Sequence, residues 1–257
     1  MLDYSREADR YDASRGGEPR ADAAASAVRE LLAPHARTLL DVACGTGLVT
    51  RRLAGAGLRV TGVDSAHNMA RMASGRLPGT IVLGDSRRLP FCNASFDAVS
   101  AVWLLHLLSG PEEAAEVVAE CARVLRPGGV FVTTVDKAAA HDVGSDIDAA
   151  LAPRPVRAAV DHGQAVEVYA AARGLTPVGE AWFRGHGQGR SPRSTIDDIG
   201  RGWFTQVPPD GPLAARLAKE LAALPDQEVP RPDPRFTLRS FRRPPARRTT
   251  AFAETAR

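Results

Sequence analysis

The sequence predicts an α/β protein built on a mostly parallel sheet, and three observations support this. Short apolar runs of four to seven residues alternate with segments of helical periodicity. The first run, residues 39–42, ends in a glycine turn that leads into a helical segment. The chain has 257 residues, which is enough to bury the core of one large α/β domain that carries an insertion.

The predicted strands and helices alternate along most of the chain. Strands are expected over residues 39–42, 58–64, 80–85, 96–102, 130–135, 176–184 and 236–241. Helices are expected over residues 21–32 and 48–56, after a cap at Ser65, over residues 111–125 up to Pro127, over much of 136–174, and over 213–224. Parallel strands joined in this way have helices on both faces and bind ligands at their carboxyl ends.

The strand order along the chain also predicts how the domain is organised. We expect an N-terminal helical flap over residues 1–34 and a ligand-binding domain formed by residues 35–185 together with 234–243. Residues 186–233 form a small cap inserted between the last two strands. Residues 244–257 have almost no apolar content, so we expect a disordered tail there.

Composition restricts the partners and the location. The formal net charge is +3, but five arginines lie in the last sixteen residues, so the remainder is nearly neutral and we expect no nucleic-acid partner. No apolar run reaches about 18 residues and the first residues include acids, which favours a cytoplasmic protein without a membrane partner. Cys44, Cys92 and Cys121 have neither disulfide nor zinc spacing, so no metal is expected.

The glycine turn itself indicates what kind of nucleotide is bound. Ala43, Gly45 and Gly47 alternate two residues after Asp41, and such small residues let a ligand approach the backbone. A dinucleotide fingerprint needs a third small residue to pack the following helix closely, but Gly47 is followed by Leu48, Val49 and Thr50, so that residue is missing. The spacing therefore suits a ligand that has no pyrophosphate.

The ordered set of motifs resembles the class I S-adenosylmethionine-dependent methyltransferases, in particular their small-molecule type. The first motif of that family is an acid, a variable residue and then G-x-G-x-G, with Ala43 here in place of the first glycine. The resemblance covers about residues 35–135. It continues through Asp64, Gly84-Asp85-Ser86, Phe96-Asp97-Ala98-Val99 and Leu125-Arg126-Pro127-Gly128-Gly129. It implies a Rossmann-like class I methyltransferase fold with seven strands and S-adenosylmethionine as the cofactor.

The resemblance also implies roles for individual residues around that cofactor. Asp64 would accept hydrogen bonds from both ribose hydroxyls. Asp85, with Ser86 beside it, would accept one from the adenine amino group, and Met69 would lie against the adenine ring. The predicted cofactor-binding set is Tyr11, Arg15, Asp41, Ala43, Cys44, Gly45, Thr46, Gly47, Asp64, Ser65, Met69, Asp85, Ser86 and Val102.

The resemblance also implies roles for Asp41, for Cys44 and for residues near the N-terminus. Asp41 would reach the ammonium group of the cofactor directly or through water. Cys44 is expected to be packed rather than reactive, since methyl transfer needs no thiol. Tyr4, Tyr11 and Arg15 fit a flap over the cofactor, with Arg15 meeting its carboxylate, and a solvated helix face explains the same residues.

Methyl transfer from a sulfonium needs alignment and exclusion of water more than a universal catalytic residue. Where the acceptor must lose a proton, a general base helps. The candidates are His106 after the fourth strand, and Asp136 and His141 after the fifth. The leucines around His106 fit a core histidine equally well.

The acceptor is expected to be a small metabolite. The segment after the fourth strand begins Ala101-Val102-Trp103-Leu104, which differs from the Asn/Asp-Pro-Pro-aromatic signature of adenine or glutamine amino methylation. Candidate substrate contacts are Tyr4, Trp103, His186, Arg190, Arg193 and Trp203.

Two alternatives to methyl transfer remain open from the sequence. One is a protein that binds S-adenosylmethionine without transferring methyl, and the other is a nicotinamide-dependent oxidoreductase on the same architecture. The acceptor atom, whether oxygen, nitrogen or carbon, is also open. The protein is expected to be a monomer or a homodimer.

Overall fold

The computed structural model describes residue 12 and residues 15–55, 57–155, 159–204 and 206–246. Its strands are β1 (Thr38–Val42), β2 (Arg59–Asp64), β3 (Ile81–Leu83), β4 (Phe96–Ala101), β5 (Leu125–Val135), β6 (Thr176–Arg184) and β7 (Arg235–Arg242). Its α-helices are α1 (Gly17–Glu30), α2 (Leu48–Leu53), α3 (His67–Arg76), α4 (Pro111–Val124), α5 (Asp146–Leu151), α6 (Gly163–Ala171), α7 (Pro192–Gly200) and α8 (Pro212–Ala222). Short 3₁₀ turns follow β4 (Leu105–Leu107) and β5 (Ala139–His141).

The seven strands form one sheet in the order β3-β2-β1-β4-β5-β7-β6. β1 pairs in parallel with β2 and β4, and β5 continues the parallel set beside β4. β7 is inserted between β5 and β6 and runs antiparallel to both. The predicted fold class, a mostly parallel seven-stranded sheet, is confirmed. Because the strand order reverses beside β1, the carboxyl ends of β1 and β4 border the crevice where such sheets bind ligands.

Helices cover the two faces of the sheet because alternate residues of a strand point to opposite sides. Leu39 packs in one apolar cluster with α1 and α2, whereas the next residue, Leu40, packs in another with α4 and α6. Both leucines are fully buried. β1 is therefore an interior strand, which fixes the position of the turn that follows it.

The segment between β6 and β7 has an apolar core of its own. Ile199 of α7 and Leu217 of α8 pack with Ile147 and Leu151 of α5. α7 begins at a capping box in which the hydroxyl group of Ser191 accepts a hydrogen bond from the backbone of Ser194. The two inserted helices thus pack on α5, which lies after the carboxyl end of β5. None of the helices in the described segments has the length and apolar content needed to cross a membrane.

Several predicted element boundaries were wrong. The fifth strand begins at Leu125, which pairs with Phe96, so Pro127-Gly128-Gly129 lies inside β5 at a register shift and is not a break before it. The expected helical region over 136–174 contains two separate helices, α5 and α6. α1 begins at Gly17 and ends at Glu30, earlier than expected. Of the predicted tail, residues 247–257 lie outside the described residues.

Candidate active site

The backbone of the turn between β1 and α2 adopts left-handed conformations, which favour glycine and other small residues. Ala43, Gly45 and Gly47 all have positive φ, of 57°, 57° and 77°. The backbone amide of Cys44 donates to the Val63 carbonyl oxygen of β2 at 3.0 Å, which ties the turn to the neighbouring strand. Burial raises the pKa of the Cys44 thiol above its usual range, so the thiol stays protonated at neutral pH.

The two glycines of the turn face different surroundings. A Cβ atom on Gly47 would lie 2.9 Å from Cβ of Ala73 in α3, so this glycine permits close packing of the turn against that helix. A Cβ atom on Gly45 would meet no atom within 4 Å. The surface of the turn at Gly45 is therefore open to a ligand.

Asp64 at the end of β2 holds the turn in place. Its carboxylate accepts hydrogen bonds from the backbone amides of Gly45 and Ala66, each at 2.8 Å. Burial raises the pKa of this carboxyl, against the lowering effect of the backbone hydrogen bonds. The prediction that Ser65 caps the next helix was wrong: α3 begins at His67 after Ala66, with no capping side chain at that position.

Asp41 lies beneath the turn, in the interior of the sheet. Its oxygens accept hydrogen bonds from the hydroxyl groups of Thr50 at 2.6 Å and Ser100 at 2.8 Å. The residue is only 3% exposed, and burial raises its pKa to about 6 despite these hydrogen bonds. Asp41 therefore connects β1, α2 and β4, and its predicted contact with a ligand ammonium group stays a prediction.

The raised pKa of Asp41 predicts a pH-dependent stability. Between about pH 4 and pH 6 the folded state holds a proton on Asp41 that the unfolded state has lost, so stability falls as the pH rises through this window. A shift of this size corresponds to about 3 kcal/mol. Asp41→Asn has no charge to bury. We therefore expect its free energy of unfolding, measured in urea, to rise relative to that of wild type as the pH increases from 4 to 7.

Asp97→Asn is the matched control for this experiment. Hydrogen bonds from Arg126, Arg37 and Thr38 outweigh the effect of partial burial and hold the pKa of Asp97 at about 2, so its titration window lies below pH 4. The stability difference between Asp97→Asn and wild type should stay constant from pH 4 to pH 7. A constant difference for Asp41→Asn as well would contradict the assignment.

Asp85, after β3, is partly exposed and forms an ion pair with Arg87 that the sequence did not predict. Arg87 donates to its carboxylate through Nε at 3.0 Å and through Nη2 at 2.7 Å, and also contacts Glu113 of α4 at 3.1 Å. The hydrogen bond from Arg87 lowers the pKa of Asp85. Ser86 is partly buried beside it, and Met69 is buried in α3. An adenine amino group at Asp85 would share this carboxylate with Arg87.

The segment before α1 contacts the glycine turn. The carboxylate of Asp12 accepts hydrogen bonds from the Thr46 hydroxyl and from Arg76 of α3, both at 2.6 Å. Arg15 lies over the ring of Trp203, 4.9 Å from its centroid, and therefore contacts the inserted segment. Asp12 had no sequence signal, since its partners are distant in the chain. Tyr4 and Tyr11 lie outside the described residues.

Trp103, immediately after β4, has an unusual environment. Its φ is 58°, and its backbone amide donates to the Thr134 hydroxyl at 2.9 Å. The guanidinium of Arg20 lies 4.1 Å from its ring centroid, and Phe236 meets the ring edge to face at 5.7 Å. Within the described residues its buried Nε1 has no hydrogen-bond partner. Val102 before it is buried in the core.

The two candidate histidines are partly buried and close to positive charges. Burial, and then the charges of Lys137 and Arg15, lower the pKa of His106 to about 3. Burial, and then Arg190, Lys137, Arg15 and His106, lower the pKa of His141 to about 2. Both imidazoles are therefore neutral at pH 7, and each can accept a hydrogen bond at a ring nitrogen. The role of either histidine as a general base stays a prediction.

The third catalytic candidate, Asp136, has a structural contact. Its carboxylate accepts a hydrogen bond from the backbone amide of Gly163 at 3.2 Å, at the start of α6. His162 Nε2 lies 3.9 Å from the same carboxylate. Asp136 therefore links the end of β5 to α6, and its predicted catalytic role stays a prediction.

The substrate candidates of the inserted segment are not all in one place. Arg190 lies over Phe204 at 5.3 Å and lines a cleft that also contains His141 and Gln188. Arg193 is exposed and lies 3.6 Å from Glu228, so its contact is on the surface. His186 is partly buried, and its backbone carbonyl packs against Gly16. Trp203 is 36% exposed under Arg15.

Comparison with known proteins supports the interpretation of the first part of the chain. Residues 40–133 match the family model described as "Methyltransferase domain". An uncharacterized methyltransferase of Mycobacterium tuberculosis is 38% identical over 104 residues, which cover 40% of this chain and 41% of the relative. A demethylmenaquinone methyltransferase of Renibacterium salmoninarum is 39% identical over 95 residues, covering 37% of this chain and 39% of the relative. The chain thus spans about two fifths of the length of these relatives.

Solved structures extend the fold similarity over most of the chain. The (4+2)-cyclase SpnF has a TM-score of 0.59 and 18% identity, with 94% of each chain covered. The protein described in "Conversion of a Disulfide Bond into a Thioacetal Group during Echinomycin Biosynthesis" has a TM-score of 0.56 and 20% identity, with 92% of each covered. At these identities the comparisons show the fold alone. Together with the family match, they support the resemblance: residues 40–133 match a methyltransferase domain, and most of the chain shares the fold of these solved structures.

Proposed function

We propose that this protein transfers a methyl group from S-adenosylmethionine to an oxygen, nitrogen or carbon atom of a small metabolite. The observation that carries the proposal is the contact between Asp64 and the glycine turn. An acid at the end of β2 and an open turn at Gly45 meet at the carboxyl edge of the sheet, where α/β ligands bind. The methyltransferase-domain match over residues 40–133 supports the same function.

The residues present fit this cofactor. Gly45 leaves space at the turn, and the Asp64 oxygens retain acceptor capacity beyond the two amide hydrogen bonds, as two ribose hydroxyls require. Asp85 is partly exposed and ionised at neutral pH, so its carboxylate can accept a hydrogen bond from an adenine amino group. When bound, S-adenosylmethionine supplies an electrophilic methyl group that needs no further activation.

The remaining task of the chain is to align an acceptor and exclude water. Trp103, which follows the carboxyl end of β4, and Trp203 of the inserted segment each lie under a guanidinium. If the acceptor loses a proton on transfer, we propose His106, Asp136 or His141 as the group that takes it; both imidazoles are neutral at pH 7, and their lowered pKa values make them weak bases. We propose that residues 35–185 with 234–243 form the cofactor-binding domain and that residues 186–233 form the cap. We also propose that the protein is a cytoplasmic monomer or homodimer.

The test of this proposal is methyl transfer itself. The full chain is incubated with S-adenosylmethionine labelled in its methyl group and a panel of small hydroxyl, amine and acidic-carbon compounds, and the label is followed into the acceptor. We expect labelled product and an equal amount of S-adenosylhomocysteine from at least one class. Tight binding of S-adenosylhomocysteine without transfer to any acceptor would favour a binding protein with another chemistry.

A further inference from the structure

The two edge strands of the sheet differ greatly in length. β3 forms one edge and has only three residues, whereas β6 forms the other edge and has nine. Among the described residues no strand lies against the outer side of β6, so its outward backbone N–H and C=O groups have no strand partner. An open edge is a template for pairing with another chain, and very short edge strands are one way to avoid such pairing. β6 is therefore the edge suited to association.

The side chains of β6 divide between a buried face and an open face. Ala181 and Phe183 are buried in the apolar cluster on the α1 side of the sheet. Glu180, Trp182 and Arg184 alternate with them, so they lie on the other face, and all three are exposed. Trp182 is 56% exposed, although tryptophan is a side chain that is highly buried on average and is enriched where proteins meet. The open face of β6 thus has the composition of an interface.

The regular part of this edge is residues 180–184. Pro177 has no N–H group to donate, and the pairing of β6 with β7 shifts its register between Pro177 and Gly179. From residue 180 to residue 184 the pairing with β7 is uninterrupted. An antiparallel partner therefore meets a regular backbone only over residues 180–184, and the central residue of this segment is Trp182.

A second copy of this chain fits the edge through a twofold axis at Trp182. Such an axis, perpendicular to the sheet, keeps the open faces of both copies on the same side and places residue 180 of each copy opposite residue 184 of the other. These residues are Glu180 and Arg184, so the strand pair has two cross-strand pairs of opposite charge. An axis at Glu180 would instead place two carboxylates directly opposite each other. Charge therefore selects the same register as the backbone.

Both charged side chains retain groups for a partner. Arg239 donates from Nε to Oε2 of Glu180 at 3.2 Å, and Arg184 donates from Nε to Asp233 at 2.9 Å. The side chains of Glu180 and Arg184 nevertheless remain 58% and 63% exposed. Within the described segments, Oε1 of Glu180 and the Nη groups of Arg184 have no ion pair, so each side chain can form a second one without losing its first.

We propose that β6 is the interface of a symmetric homodimer, in which residues 180–184 of two copies pair antiparallel and continue the sheet from one copy into the other. Trp182 meets its counterpart at the twofold axis, and Glu180 of each copy forms an ion pair with Arg184 of the other. This contact is smaller than the standard interface of about 1,200–2,000 Å², so the association has roughly micromolar strength. The inference goes beyond the proposed function and does not depend on it, because three strands separate β6 from β1 and its glycine turn.

Sedimentation velocity of the full chain, from about 1 µM to about 300 µM, measures this association. We expect wild type to shift from monomer to dimer within the range. Glu180→Arg and Arg184→Glu each place like charges at both contacts, so each variant alone should dimerise at least about tenfold more weakly. A one-to-one mixture of the two variants restores opposite charges at both contacts. The mixture should therefore form a heterodimer about as readily as wild type forms its homodimer.

Arg216→Glu is the matched control for the charge reversals. It makes the same change of charge as Arg184→Glu, at an exposed residue of α8 that lies 3.9 Å from Glu220. Its dimerisation should equal that of wild type. Circular dichroism and thermal unfolding of each variant identify any loss of association that is caused by misfolding.

Three outcomes would overturn the inference. A wild type that stays monomeric over the whole range would leave the edge to a strand of another protein. A dimer that both folded variants form as tightly as wild type would have its interface elsewhere. Folded variants that lose association separately and do not recover it in the mixture would reject the twofold register that pairs residue 180 with residue 184.

Discussion

Replacing Gly47 by alanine lowers the free energy of unfolding by about 2–4 kcal/mol, the sum of left-handed backbone strain and overpacking. The backbone at Gly47 has a φ of 77°, and a Cβ atom there would lie 2.9 Å from Cβ and 3.0 Å from Cα of Ala73. Because α3 is held by its own packing, the added methyl group has to displace either the helix or the turn. Urea unfolding monitored by circular dichroism measures the effect.

Alanine substitutions at two other glycines separate the cost of backbone strain from the cost of the steric clash at Gly47. Gly79→Ala, at a φ of 75° with no atom within 4 Å, should cost only about 1 kcal/mol for the backbone. Gly45→Ala should be equally mild in stability, yet it adds a methyl group to the open surface of the turn and should weaken binding of S-adenosylhomocysteine. If Gly47→Ala were no less stable than Gly79→Ala, the close packing of turn and helix would be wrong.

Replacing Asp64 by asparagine weakens binding of S-adenosylhomocysteine by roughly 10- to 100-fold, the range for losing charge-assisted hydrogen bonds. The amide group has one acceptor oxygen, so it cannot receive both the Gly45 and Ala66 amides and also a ribose diol. One of the backbone donors would face an NH₂ group instead. Isothermal titration calorimetry on wild type and variant measures the affinity ratio.

Asp210→Asn is the control for the Asp64 experiment, because Asp210 is exposed in the inserted segment. Its affinity should equal that of wild type. If Asp64→Asn were folded and bound S-adenosylhomocysteine within threefold of wild type, Asp64 would not contact the ribose, and its role would be limited to holding the turn.

The fold was predictable because strands of the sheet interior are short apolar runs. β6 over residues 176–184 has the predicted bounds, and β1 and β2 differ by one residue at their starts. β5 was mispredicted for a physical reason. Pro127 and Gly128 break helices, but the strand tolerates them at a register shift where β5 leaves and rejoins its pairing with β4.

The contacts of the candidate site were predictable only for residues at the carboxyl ends of neighbouring parallel strands, which meet at the same edge of the sheet. Asp41, Gly45 and Asp64 follow from the ends of neighbouring parallel strands, and the structure brings them together. The contacts of Asp12 with Thr46 and Arg76 join parts of the chain that no local pattern relates.

The claim that the turn and Asp64 bind S-adenosylmethionine is tested most directly by calorimetry on the full wild-type chain with S-adenosylhomocysteine and, separately, NADH. We expect saturable one-to-one binding of S-adenosylhomocysteine and none of NADH, because the third small residue of dinucleotide-binding turns is missing after Gly47. Binding of NADH without binding of S-adenosylhomocysteine would contradict the account and favour an oxidoreductase on this fold.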